Sequence, residues 1–230
     1  MDFIFMLTRQ DQTVVDCLEV IQAIRGVGLG HVGFKDIGVE RDTLRRLHDV
    51  IKASGATSYM EVVATSPEAM LRSAKVAVEL GVDRLMGGTM VAEILALLKG
   101  SKTAYYPFPG RPEGHPTKLG GTPAEVEAQC RRFMEQGCAG VDLLAYRAIE
   151  AEPLALVRAA RKGVGQGLLI CAGSVDSPAR IAALADAGCD AFTIGSAAFD
   201  GSFSPRRGML TGQLSDILAA AKPGSRRAAV

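Results

Sequence analysis

Three ionisable side chains stand in runs where a folded chain ordinarily keeps apolar ones. Lys35 closes His31-Val-Gly-Phe-Lys35, Glu61 lies in Tyr59-Met-Glu-Val-Val63, and Asp142 lies in Gly140-Val-Asp-Leu-Leu144. Charge inside an apolar run is costly unless it is paired, so each needs a partner or a task. A lysine in this setting can polarise an enolate, carry a proton or, with its pKa lowered, form a Schiff base. Glu61 is its natural partner if the two runs are adjacent strands. Lys35, Glu61 and Asp142 together make a general acid/base set for proton transfer next to a carbonyl. The competing readings are a Lys35 that snorkels to water from its strand end, and an Asp142 that merely pairs with Arg9 or Arg147.

Those runs belong to a repeating pattern that must position them. Short apolar runs at 3–7, 31–35, 58–64, 83–86, 103–108, 141–144, 167–172 and 190–194 each precede a longer amphipathic stretch. Ser66-Pro67, Thr122-Pro123 and Ser177-Pro178 read as helix starts, a capping hydroxyl followed by a first-turn proline. Gly55, Gly81, Gly137 and Gly188 read as helix ends. Strands that are apolar throughout are buried on both faces, as in a parallel sheet covered by helices. Eight such units predict α/β architecture as a single (β/α)8 TIM barrel over residues 1–222, with a frayed tail at 223–230. A doubly wound sheet with fewer strands is the alternative.

A barrel binds ligands at the carboxyl ends of its strands. Gly173-Ser174 follows the seventh strand, and Gly195-Ser196 follows the eighth at the start of a short helical turn. Backbone amides at such a turn cradle an anion, so Gly173, Ser174, Gly195 and Ser196 are expected to hold a phosphate. The plainer reading is that they only make tight turns. The first strand ends in the polar run Leu7-Thr-Arg9-Gln-Asp11, and Tyr146 and Arg147 lie beyond the sixth. Residues 109–121 form the longest stretch without apolar periodicity and carry Arg111, His115 and Lys118 between glycines that could hinge a lid. Arg9, His115 and Lys118 are the candidate substrate contacts.

The stretch Ile170-Cys-Ala-Gly-Ser-Val-Asp-Ser-Pro-Ala-Arg180 with Phe192-Thr-Ile-Gly-Ser-Ala-Ala-Phe199 resembles the phosphate-binding half of the ribulose-phosphate-binding barrel superfamily. The resemblance implies a small monophosphorylated substrate held by Gly173, Ser174, Gly195 and Ser196. It does not choose the reaction. Sugar-phosphate decarboxylases of that group carry Asp-x-Lys-x-x-Asp, whereas this chain has Gly33-Phe-Lys35-Asp-Ile-Gly38. The histidine-pathway isomerase uses aspartates on strands one and five, where this chain offers Arg9 and Tyr106. Metal-dependent pentulose epimerases need two His and two Asp on successive strands. Here His31 begins its strand and His48 belongs to a helix, so no metal site is expected.

The expected function is an enzyme of carbohydrate metabolism acting on a small phosphorylated sugar or sugar acid. It would be an isomerase, an epimerase or a lyase (decarboxylase or aldolase) working through an enol(ate). The alternatives are a non-catalytic barrel that senses a phosphorylated metabolite, and an FMN-binding barrel. No cofactor is expected, with a need for Mg2+ left open, and a homo-oligomer is expected from the architecture. The 26 basic and 25 acidic residues leave a net charge of +1, which gives no footing for nucleic acid or an anionic membrane. Hydrophobic residues make up 48% of the chain, which excludes disorder by composition. Five cysteines without a CxxC pair, no secretory leader and no span of ~20 apolar residues read as a cytoplasmic protein with free thiols.

Overall fold

The computed structural model describes residues 1–114 and 117–222. His115 and the tail at 223–230 lie outside the described residues. Eight strands form one parallel sheet: β1 (Asp2–Met6), β2 (His31–Lys35), β3 (Thr57–Val62), β4 (Arg84–Gly87), β5 (Ala104–Tyr106), β6 (Gly140–Leu143), β7 (Leu168–Cys171) and β8 (Ala191–Ile194). Hydrogen bonding orders them β6-β7-β8-β1-β2-β3-β4-β5. The remaining gap, between β5 and β6, is bridged by two backbone bonds: Ala139 N–H donates to Tyr105 O and Asp142 N–H to Pro107 O, both at 3.0 Å. The sheet therefore closes into a (β/α)8 barrel, with a thinner ladder at this seam.

Parallel strands need long crossovers, and amphipathic helices supply them. They are α1 (Cys17–Ala23), α2 (Arg41–Ala53), α3 (Pro67–Leu80), α4 (Val91–Leu98), α5 (Pro123–Glu135), α6 (Pro153–Val164), α7 (Pro178–Asp186), the single-turn α8 (Ser196–Phe199) and α9 (Leu210–Ala221). The expected caps form: Ser66 accepts from Ala69 N–H, Ser177 from Arg180 N–H, and Thr122 with Glu125 makes a reciprocal capping box. The glycines read as helix ends, Gly55, Gly81, Gly137 and Gly188, all have positive φ.

Side chains alternate across each strand, which separates two cores. Residues such as Phe5, Phe34, Leu85, Val141, Leu143 and Phe192 face the helices. Ile4, Met6, Tyr59, Met86, Tyr106, Ile170 and Ala191 fill the barrel. Its amino-terminal end is plugged by a polar stack. Tyr59 OH shares a hydrogen bond with His31 Nδ1 at 3.0 Å and accepts from Arg84 Nη1 at 2.7 Å, and the Arg84 guanidinium lies against the Tyr59 and Tyr106 rings. Burial lowers the His31 pKa, which favours the neutral ring.

Two small hairpins depart from the sequence expectation. Thr8–Arg9 pairs with Gln12–Thr13, and Arg111–Glu113 pairs with Lys118–Gly120 inside the stretch read as an irregular loop. Pro112 and the short strands hide the second one, and its anchors are distant in sequence. Arg111 bridges Glu125 at 3.0 Å and Glu150 at 2.6 Å, and Leu119 is fully buried. The segment is thus docked at its base, with Gly110 and Gly121 flanking it at positive φ.

Candidate active site

The carboxyl ends of the strands converge on a cavity of about 260 Å3 lined by Asp11, Lys35, Glu61, Arg147, Gly173, Ser174, Thr193, Gly195 and Ser196, among others. A larger cavity, about 590 Å3, lies at the opposite end between α1 and α2. Its lining is mostly apolar, with Arg25 its one charged residue. The smaller cavity holds the groups that can do chemistry.

Lys35 and Glu61 pair as the sequence suggested, because β2 and β3 are neighbours whose register puts these two residues side by side. Lys35 Nζ lies 3.1 Å from Glu61 Oε2 and 2.7 Å from Asp11 Oδ1, and Lys35 itself is only 4% exposed. It does not snorkel. Burial by itself pulls the Lys35 pKa down, but the Glu61 and Asp11 carboxylates more than offset this and hold it above the ordinary lysine value. The amine is therefore a fixed ammonium, suited to stabilising negative charge rather than to Schiff-base formation.

Asp11 belongs to the polar run after the first strand, but its position comes from the hairpin. The Thr13 hydroxyl donates to Lys35 O at 2.7 Å and accepts from Lys35 N–H at 2.9 Å, which clamps the hairpin over the end of β2. The two-residue turn then places both Gln10 and Asp11 at positive φ, 49° and 59°. Type I′ turns demand this, and glycine or asparagine normally supplies it. Among the described residues, Ser174, at φ 57°, is the only other non-glycine residue with positive φ. All three stand at the mouth of the barrel, two in the hairpin that carries Asp11 and one in the turn after β7. Non-glycine residues held there store strain that packing must offset, a pattern concentrated at functional sites.

The two glycine turns line the same cavity, with Gly195 packed against the start of the hairpin, and their smallness has a packing cause. A Cβ on Gly195 would lie 2.8 Å from Thr8 O and 3.0 Å from Met6 O. A Cβ on Gly173 would lie 2.4 Å from Arg147 Nε. Glycine at 195 admits the backbone beyond β1, and glycine at 173 admits the Arg147 guanidinium. The Ser196 and Ala197 amides open α8, where N–H groups have no acceptor in a preceding turn.

Asp142 turns inward between the outward-facing Val141 and Leu143, but it does not line the cavity. It is fully buried, and neither carboxylate oxygen has a hydrogen-bond partner among the described residues. Burial first, and then the Glu61 charge, drive its pKa well above the usual carboxylate range, against the pull of Lys35 and Arg147. Burial thus favours its protonated form, within the field of the Lys35 cluster. No ion pair joins it to Arg9 or Arg147.

The candidate contacts separate. Arg9 pairs with Asp200 and lies over the Phe199 ring, on the surface and outside the cavity lining. Lys118 lines a shallow recess of about 320 Å3 that shares Arg147 and Ser174 with the main cavity. Arg147 was visible in the sequence only as a polar residue beyond the sixth strand; its place in the wall comes from the turn Ala145–Arg147. Among the described residues, no group of three or more His, Cys, Asp and Glu stands ready to hold a metal ion. None of the described helices is long and apolar enough to cross a membrane.

No protein-family model and no curated protein sequence matches this chain. Solved structures do match it in fold. Thiamine phosphate pyrophosphorylase from Pyrococcus furiosus is similar over 96% of this chain and 95% of its own, at 9% identity and a TM-score of 0.63. Orotidine 5'-phosphate decarboxylase from Pyrococcus horikoshii is similar over 95% of this chain and 98% of its own, at 14% identity and a TM-score of 0.63. The Amycolatopsis orientalis BexX/CysO complex contains a chain similar over 96% of this one and 88% of its own, at 19% identity and a TM-score of 0.64. At these identities the likeness is one of fold.

Proposed function

We propose that this protein is an enzyme acting on a small phosphorylated sugar or sugar acid, as an isomerase, epimerase or carbon–carbon lyase that passes through an enol(ate). The observation that carries the reading is the Lys35 ammonium held between Asp11 and Glu61 in a cavity whose other wall is built from two backbone turns with Arg147 beside them. The fold neighbours whose names include a phosphorylated compound support the substrate class in general terms.

The chemistry follows from the charges. A carbonyl oxygen directed at Lys35 Nζ would gain a buried ammonium where enolate charge develops, in surroundings that screen it poorly. Glu61 or Asp11 takes the proton from the neighbouring carbon and returns it, so no net charge leaves the site. For a lyase, the same ammonium stabilises the enolate left when a carbon–carbon bond breaks. The turns at Gly173-Ser174 and Gly195-Ser196 would hold the phosphoryl group through backbone amides and fix the reacting end over Lys35. We assign Asp142 a supporting role: as a neutral acid it keeps a further negative charge away from the Lys35 cluster.

The test is a thermal-shift screen of pentose, hexose and sugar-acid phosphates beside their unphosphorylated forms. A ligand at 100 times its Kd adds about 2.7 kcal/mol, a readily visible rise in Tm. Stabilisation by phosphorylated members alone, lost in Ser196→Asp, is the expected result. A flat screen that also includes inorganic phosphate and sulfate would return the glycines to plain turns and remove the substrate anchor.

A further inference from the structure

Arg180 closes the glycine-serine segment after β7 and takes no part in the chemistry above. Its side chain reaches back from the first turn of α7. Nη1 donates to Ser174 O at 2.5 Å and to Asp176 Oδ2 at 2.7 Å, and the guanidinium carbon lies 4.7 Å from the centre of the Tyr146 ring. Arg180 lines neither the main cavity nor the recess beside Lys118, whereas Ser174 lines both. Ser174 is held at φ 57°, and Gly173 before it at φ 75°. Glycine adopts this left-handed conformation freely, but the Cβ of a serine disfavours it. Among the described residues, the N–H groups of Gly173, Ser174 and Val175 donate to no acceptor. Successive amides in such a turn form a concave nest for an anion.

A serine stays in a disfavoured conformation only where its surroundings hold it there. The bond from Arg180 to the Ser174 carbonyl does this from outside the cavity. The peptide joining Ser174 to Val175 is planar, so its N–H points opposite to its C=O. Fixing Ser174 O on Arg180 therefore aims the Val175 N–H away from Arg180, and Val175 lines the cavity. Asp176 and the Tyr146 ring keep the guanidinium in place for this grip. Resting on the phosphate reading above, we propose that Arg180 is a positioning residue for the substrate's phosphoryl group. It holds the Ser174 carbonyl, keeps the turn left-handed and points the Val175 N–H at the anion without touching the anion itself. Its pair with Asp176 is solvent-exposed, with the side chains 39% and 48% exposed, and such pairs add little to overall stability. Loss of Arg180 therefore acts on binding and leaves the fold intact.

The experiment measures binding of inorganic phosphate and glycerol 3-phosphate by calorimetry to the wild-type chain, Arg180→Met, Arg180→Ala, Ser174→Gly and the double variant Ser174→Gly/Arg180→Met. Each single Arg180 variant should weaken both probes by about 10-fold, equivalent to about 1.4 kcal/mol, with the wild-type circular dichroism spectrum and Tm. The double variant separates positioning from direct attraction, because glycine takes the left-handed turn without being held. Adding Arg180→Met to Ser174→Gly should weaken binding by less than about 3-fold. Wild-type affinity retained in either single Arg180 variant would overturn the role of Arg180 and leave the phosphate reading standing. An equal loss in both backgrounds would mean that Arg180 acts through its charge, which also overturns positioning. Binding abolished by Ser174→Gly alone would put the anion on the serine hydroxyl and overturn a role exercised through the backbone. No binding of either probe by the wild type would overturn the phosphate reading, and this inference with it.

Discussion

At the scale of single residues, the decisive fact is that Lys35 is buried between two carboxylates. Removing one partner from a buried ion cluster leaves the others uncompensated, typically at about 3–5 kcal/mol. Lys35→Met should therefore lower stability by about that amount near pH 7 and abolish turnover while phosphate binding persists. Chemical denaturation and assay of the same preparation check both; retained activity would return Lys35 to a structural role. Because its folded pKa is raised, the stability contributed by Lys35 is fully present below the ordinary lysine value of ~10.4 and is lost as pH rises above it. Asp142 titrates over a different range. Its carboxyl ionises near ~3.9 in the unfolded chain, and burial favours the protonated form in the fold, so wild-type stability declines as pH rises past that value toward the raised folded pKa. Asp142→Asn abolishes this proton linkage. Its stability relative to wild type should grow between pH 4 and pH 8 in paired urea titrations, and a difference independent of pH would refute the neutral acid.

At the scale of elements, the site depends on pieces that carry no chemistry. The hairpin at 8–13 sets Asp11 on Lys35, and α8 sets the Ser196 amide. The segment following α8 is stapled by one side chain from α9. Gln213, 1% exposed, donates through Nε2 to Ser204 O at 2.7 Å and Arg207 O at 2.6 Å, and its Oε1 accepts from Ser204 N–H at 2.8 Å. Gln213→Ala removes these part-buried hydrogen bonds, each worth about 0.5–1.5 kcal/mol. The expected outcome is a lower urea midpoint, with faster amide exchange in residues 201–207. Slow exchange there would mean that the segment holds itself. The element that sequence reading missed most clearly, the hairpin inside 109–121, has the same character. Its strands are three residues each, and Glu125 and Glu150 fix it from other parts of the chain.

At the scale of the whole molecule, the barrel is closed unevenly. The β2–β3 register runs over five residue pairs from His31 to Lys35, whereas β5 and β6 are joined by the Ala139 and Asp142 backbone bonds. Local opening follows the weakest ladder, so the Ala139 and Asp142 amides should exchange before those of β2 and β3 under native conditions. Uniform protection around the barrel would contradict this. The eight strands, the three proline-led helix caps and the pairing of Lys35 with Glu61 were legible in the chain because they rest on local patterns: apolar runs, capping residues, and the adjacency of successive strands in a parallel barrel. Asp11 and Arg147 were visible as polar residues beyond strand ends, with nothing local to rank them above Arg9. The tertiary structure decided between them. A turn strained at Gln10 and Asp11 carries one carboxylate onto Lys35, a glycine seats one guanidinium against the cavity, and Arg9 is drawn away to Asp200. Asp142 shows the same division, since its inward direction follows from strand alternation while its missing partner depends on every neighbour in the barrel. Periodicity and caps are written in nearest neighbours along the chain. Which charges meet is fixed only when distant segments close around them.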